Sequence, residues 1–230
     1  MASIAIVGKS GTGKSTSFGQ FPDLGIKGLI PEETVVINVS GKDLPFRGWK
    51  KLYTGKISER GNYFESSNAD QIARAIDHVS SSRVDIKNIV IDDAQYIMAF
   101  EFMQRAKETG YGKFADIGVN LGKVVSAAKN TRKDLKVYFL WHPEQDKETG
   151  YKMKTVGKMV DDYLTLEGLF TVVLYTKVSK SVDNKILYQF ITNNDGEFPA
   201  KSPVGMFRDI YIPNDLGVVS ETIDKYNEGE

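Results

Sequence analysis

The apolar run Ser3-Ile4-Ala5-Ile6-Val7 stops at Gly8 and opens directly into the stretch GKSGTGKST, residues 8–16. No other feature of the chain restricts its fold as sharply. A compact β-branched run ending at glycine predicts a buried strand, and the polar residues from Lys14 onward predict the start of a helix. Residues 8–15 satisfy G-x-x-x-x-G-K-[ST], the Walker A pattern. In that pattern glycines let successive backbone N–H groups curl around anionic oxygens, and a following helix directs its positive end at them. The expected phosphate-binding set is therefore Gly8, Lys9, Ser10, Gly11, Thr12, Gly13, Lys14, Ser15 and Thr16. Lys14 is placed for β and γ phosphates, and Ser15 for Mg²⁺, which prefers oxygen and takes few protein ligands. The plain alternative is a glycine-rich turn carrying surface lysines.

The order of the remaining elements supports an α/β chain. TVVINV (34–39) predicts a second strand, and SGKDLPFRGWKK (40–51) an exposed loop. Ile72, Ala73, Ile76 and Val79 share one helical face between residues 69 and 79, and NIVID (88–92) follows as a buried strand. An apolar helical stretch reaches about Lys107, ETGYGKF (108–114) breaks it, and Ile117, Leu121, Val124, Val125 and Ala128 mark a further helix. VYFLWHPE (137–144) predicts a strand ending at Trp141 and His142, and residues 156–167 a short helix. FTVVLYT (170–176) and ILYQFIT (186–192) predict a hairpin joined by KSVDNK. The expectation is a mainly parallel sheet flanked by helices, with a C-terminal antiparallel extension. One core would span residues 1–208. Residues 209–230 hold six acids and one lysine, an excess of five, and read as an acidic tail or helix.

A magnesium site needs a second anchor at the end of a neighbouring strand, and NIVIDD ends in two carboxylates. Asp92 is the metal candidate beside Ser15. Asp93 is the candidate for polarising or deprotonating an attacking water, its alternative being a helix cap. His142 ends a strand expected to lie between the glycine loop and Asp92 in space, where it would meet a terminal phosphate. Its alternative is an ordinary strand-end residue, and His78, on a predicted helix face, is read as structural. TKVS (176–179) lacks the acid of the guanine-reading [NT]-K-x-D motif, so ATP is the expected nucleotide.

Thirty basic and thirty acidic side chains cancel, so net charge points to neither nucleic acid nor membrane. The absence of cysteine excludes a disulfide scaffold and thiolate metal sites. MASIAIVG lacks a basic leader region, and no window approaches the roughly 20 apolar residues of a membrane span. A soluble, cytoplasmic protein is expected.

GKSGTGKST, NIVIDDAQ, VYFLWHPE and FPAKSPVGMF (198–207), in this order and spacing, resemble the compact RecA-like P-loop ATPases encoded by many bacteriophages. That group includes the Sak-type single-strand annealing proteins built from a RecA core alone. The resemblance covers nearly the whole chain, although only the glycine loop is sharply specific by itself. It implies ATP and Mg²⁺ as cofactors, assembly into rings or filaments, and action on single-stranded DNA beside phage recombination or replication proteins. Lys14, Ser15 and Asp92 match the family motifs, and His142 occupies the polar sensor position. Lys201 falls where relatives offer a basic residue to a neighbouring subunit's nucleotide. The chain departs from the family at the end of its second strand, where VVINVSGKD offers Asn38, Ser40 and Asp43 in place of a water-activating glutamate. Either Asp93 takes that task or turnover is slow.

Two local surpluses fit a nucleic-acid surface. Residues 42–60 hold six Lys/Arg against two acids, and residues 123–158 nine against four. GWKKLYTGK (48–56) interleaves Trp49 and Tyr53 with lysines, the combination that stacks bases and attracts phosphates. ETGYKMKTVGK (148–158) is a second candidate loop, with Tyr151, Lys152, Lys154 and Lys158. Two other readings compete. A nucleotide-gated protein-interaction factor, such as a helicase loader or packaging accessory ATPase, would use the acidic C-terminus. A small-molecule kinase would need an arginine-rich lid, for which Arg105 and Arg132 are too isolated.

Overall fold

A computed structural model describes residues 2–146, 150–161 and 164–229. The strands are β1 (Ala2–Val7), β2 (Thr34–Asn38), β3 (Tyr63–Glu65), β4 (Asn88–Asp92), β5 (Lys136–Trp141), β6 (Pro143–Asp146), β7 (Gly150–Met153), β8 (Val172–Lys180), β9 (Ile186–Ile191) and β10 (Tyr211–Pro213). The helices are α1 (Trp49–Leu52), α2 (Ala69–Ser82), α3 (Tyr96–Gln104), α4 (Gly112–Lys129), α5 (Lys158–Asp161) and α6 (Leu216–Glu228).

Eight strands form one sheet in the order β10-β9-β8-β1-β5-β4-β2-β3. Its pairs from β8 through β1, β5, β4 and β2 to β3 are parallel, whereas β8-β9 and β9-β10 are antiparallel. The chain is thus α/β, with a mainly parallel sheet, flanking helices and an antiparallel edge. The central strands are apolar along their whole length because helices cover both faces. Ala5, Val7, Ile37 and Ile91 pack against Ile72 and Ile76 of α2 and Leu121 and Val124 of α4. Ile4, Ile6, Val90 and Leu140 face the other way, onto Phe18, Leu44, Phe46, Tyr53 and the Leu216-Val219-Ile223 stripe of α6.

Two expectations change. Lys14 does not open an α-helix; only the 3₁₀ turn Thr16–Phe18 follows the glycine loop. Pro22 and the left-handed glycines 25 and 28 break the next stretch, and Phe18 is pulled into an aromatic cluster with Phe46 and Tyr53. Loop 40–51 is only partly exposed, because Leu44 and Phe46 are buried in that same cluster. Residues 209–229 contribute a sheet strand and a packed helix, the helix being one of the two alternatives expected there. Its acids work internally: Glu221 pairs with Lys27 and Asp224 with Lys136. Among the described residues no helix is long and apolar enough to cross a membrane.

Candidate functional site: a phosphate-type cleft at the strand ends

β1, β2, β4 and β5 run parallel and end at one edge of the sheet, where ligands of open α/β sheets collect. β5 lies between β1 and β4, as expected for the strand carrying His142. Each of these strand ends delivers a polar group: Gly8 after β1, Asn38 at the end of β2, Asp92 at the end of β4 and His142 after β5. The cleft above them holds about 540 Å³.

The glycine loop is tied down by four separate segments. Gly8 donates its N–H to the Trp141 carbonyl at 2.9 Å. A Cβ at Gly8 would collide with the Thr176 hydroxyl, which donates to Thr12 Oγ1 at 2.7 Å. Asn214 Nδ2 donates to the Thr12 carbonyl at 3.1 Å, beside Gly13 at φ +90°. Tyr151 accepts a hydrogen bond from Lys9 Nζ at 3.0 Å and stacks on Phe198, anchoring the β6-β7 hairpin against the loop. With only a 3₁₀ turn behind the loop, the aligned peptide dipoles of a long helix are missing. Attraction for an anion therefore falls mainly on local N–H groups and lysines.

Lys14 is buried, and its ammonium donates to the carbonyls of Gly8 (2.7 Å) and Lys9 (3.0 Å). Burial pushes its pKa down to about 8, against the pull of Asp93 and Asp92. Ser15 Oγ donates to Asp92 Oδ1 at 2.8 Å. Burial, reinforced by the charge of Asp93, pushes the Asp92 carboxyl up to about 6 despite that bond. A hydroxyl and a carboxylate so placed are an oxygen pair that fits Mg²⁺, whose charge would relieve the strain of ionising Asp92.

The pH dependence of stability follows with a definite sign. An acid whose folded pKa exceeds its unfolded value destabilises the fold progressively as pH rises from about 4 to about 6. Asp92→Asn should therefore stabilise the nucleotide-free chain at pH 7.5 by about 2 to 3 kcal/mol, and by nothing below about pH 4. Urea unfolding at the two pH values checks this. An equal effect at both would mean that charge at Asp92 is not what strains the fold.

Asp93 occupies a left-handed conformation (φ +59°) and is buried. Its Oδ1 lies 3.3 Å from His142 Nε2 and its Oδ2 2.5 Å from Lys42 Nζ. Burial opposes ionisation, but His142 and Lys42 outweigh it and hold the carboxyl well below the usual carboxylate range. A carboxylate held that low is a weak proton acceptor. Asp93 thus holds two cleft side chains, Lys42 and His142, at the end of β4.

The structure brings Ser10, Gly11, Gly13, Lys14, Ser15, Thr16, Asp92, Asp93 and His142 into this one cleft. Lys201 is not among its lining residues. It pairs through its backbone with Val173, level with Ala5 in mid-sheet. Lys42, Tyr188, Asn214, Leu24 and Ile26 also line the cleft and escaped the sequence reading. Tyr188 arrives from β9 and Asn214 from just after β10, which no local pattern reveals, whereas Lys42 carried a signal in the glycine turn before it.

The basic surfaces divide. All six Lys/Arg of residues 42–60 are exposed, but Tyr53 is buried and cannot stack a base, and Trp49 leans on Tyr63. Part of the basic charge of 123–158 is engaged within the chain. Lys123 pairs with Asp70, Arg132 with Asp134 and Lys136 with Asp224, and Lys136 begins β5 at the sheet edge opposite the cleft. Of the loop 148–158, residues 148 and 149 and the side chain of Lys158 lie outside the described ones. Arg105 is held by Glu101, Glu108 and Asp116, away from the cleft. No protein-family model matches the chain, and no curated protein matches its sequence.

Proposed function

We propose that this chain is a RecA-like P-loop ATPase, binding ATP with Mg²⁺ and acting as an oligomer on single-stranded DNA in phage-type recombination or replication. One observation carries the nucleotide reading: Ser15 Oγ and Asp92 Oδ1 meet at 2.8 Å in the cleft that also holds the buried ammonium of Lys14. The glycine loop and Lys14 bind the phosphates, and Ser15 and Asp92 hold the metal. Magnesium supplies charge neutralisation along the phosphate chain. His142, oriented by Asp93, faces the terminal phosphate. Lys201, which does not line this cleft, would reach a nucleotide only across a subunit boundary.

Among the described residues, each carboxylate lining the cleft is already engaged: Asp92 by Ser15, Asp93 by Lys42 and His142, and Asp43 by Lys50. Asn38 spends its amide on the Lys42 carbonyl and the Tyr63 hydroxyl. Slow turnover is the expected consequence, which suits a switch whose bound state matters more than its rate. The DNA reading rests on the exposed Arg47, Lys50 and Lys51, whose loop borders the cleft through Asp43 and Pro45.

Steady-state ATP hydrolysis with Mg²⁺, with and without a single-stranded oligonucleotide, tests the reading. Stimulation of several-fold that fades with added salt is expected, because salt displaces phosphate contacts. Hydrolysis indifferent to DNA at every salt concentration would favour a protein partner instead.

A further inference from the structure

Lys42 is an exposed lysine with an unusual partner. Its side chain is 65% exposed, whereas that of Asp93, to which it is paired, is 4% exposed and lies within the cleft. A surface ion pair between two solvated side chains carries little information. Here the carboxylate is fixed by the protein, and the ammonium is drawn inward to meet it.

The backbone behind Lys42 is built to that end. Asn38, fully buried at the end of β2, is level with Asp92 in the β2-β4 register. Its Oδ1 accepts the Gly41 N–H at 3.0 Å and its Nδ2 donates to the Lys42 carbonyl at 2.6 Å. Gly41 takes φ +68°, which turns the chain back over the strand ends. The tight turn 38–42 thus presents one cation to Asp93, in the cleft that also holds Lys14, Ser15 and Asp92. A few residues later the same segment is pinned by Leu44 and Phe46 and exposes Arg47, Lys50 and Lys51.

We propose that Lys42 is a terminal-phosphate contact, exchanging Asp93 for the γ-phosphate when a nucleoside triphosphate is bound, and that it thereby makes the basic loop 42–51 responsive to triphosphate over diphosphate. The inference rests on the nucleotide reading above and adds to it the group that tells the two nucleotides apart. In the diphosphate state Lys42 stays on Asp93. In the triphosphate state the loop is tied to the ligand, so the exposed basic side chains are held in one arrangement.

Calorimetric titration of the full chain with Mg²⁺ and either ADP or a non-hydrolysable β,γ-imido analogue of ATP tests this directly. Lys42→Ala should weaken the triphosphate analogue roughly tenfold or more, the range of a charge-assisted hydrogen bond, and leave ADP within about twofold. Lys42→Arg, which keeps the charge, should retain most of the preference. Trypsin cleavage after Arg47, Lys50 and Lys51 should be slowed by the analogue but not by ADP, and the distinction should vanish in Lys42→Ala. A triphosphate-to-diphosphate ratio unchanged in Lys42→Ala, or equal losses for both nucleotides, would overturn the role of Lys42 while leaving the nucleotide site standing. Failure of the unaltered chain to bind either nucleotide would remove the parent reading, and this inference with it.

Discussion

Lys14→Ala should lose at least about a hundredfold in affinity for MgATP, while the nucleotide-free chain unfolds within about 1 kcal/mol of the original. The two halves of that result have separate causes. Lys14 is buried at the base of the glycine loop, and with only a 3₁₀ turn behind the loop no long helix would share in attracting a bound phosphate. Removing it leaves anionic oxygens without their inner cation. In the absence of ligand the ammonium is already satisfied by the Gly8 and Lys9 carbonyls, but burial disfavours its charge, so losing the bonds and losing the burial cost nearly offset. Calorimetric titration and urea unfolding on the same preparation check both. Binding retained within tenfold would remove the phosphate role of the loop.

Asp215→Ala should destabilise the chain by about 3 kcal/mol or more, among the larger single-residue costs expected for any fold. Its carboxylate is 2% exposed and accepts four backbone N–H groups. Two belong to Lys27 (2.6 Å) and Gly28 (2.9 Å), and two to Gly217 (2.8 Å) and Val218 (3.4 Å) in the first turn of α6. One side chain therefore caps the last helix and staples it to the segment that leaves the glycine loop. Gly28 and Gly217 allow the close approach: a Cβ on Gly217 would strike the Gly28 carbonyl, and one on Gly28 the Gly19 carbonyl. Asp215→Asn keeps one acceptor and should cost about half as much. Urea unfolding measures both variants. A loss under about 1 kcal/mol for Asp215→Ala would mean that residues 209–230 are only loosely attached.

Because Asn214 sits beside Asp215 and holds the Thr12 carbonyl, loosening this staple also reaches the cleft. The prediction is specific: Asp215→Ala should weaken MgATP binding even under conditions where the chain remains folded, through the position of the glycine loop rather than through any contact with phosphate.

The sequence by itself determined the central strands, the main helices and the glycine-loop, Asp92, Asp93 and His142 part of the cleft. Continuous β-branched runs at 3–7, 34–39 and 88–92 can be buried on both faces and little else. The 3.6-residue spacing of Ile72, Ile76, Leu121 and Val124 leaves one face of each helix to cover them. Glycines, Lys14, Ser15 and Asp92 are legible because their chemistry is tied to local spacing. Only the tertiary structure decided the rest. The helix expected at Lys14 is replaced by a 3₁₀ turn from which Phe18 packs on Phe46 and Tyr53, and Pro22 shortly after it disfavours continuation. Asp93 could not be read as a held carboxylate until Lys42 and His142, each from a different strand end, were brought to it. The acidic C-terminus looked solvated because charge counts ignore partners, and Lys27, Lys136 and the amides of residues 27 and 28 lie far away in sequence. Contacts between distant segments leave no local period or spacing, so the physical reason for each of these positions exists only once the sheet has assembled.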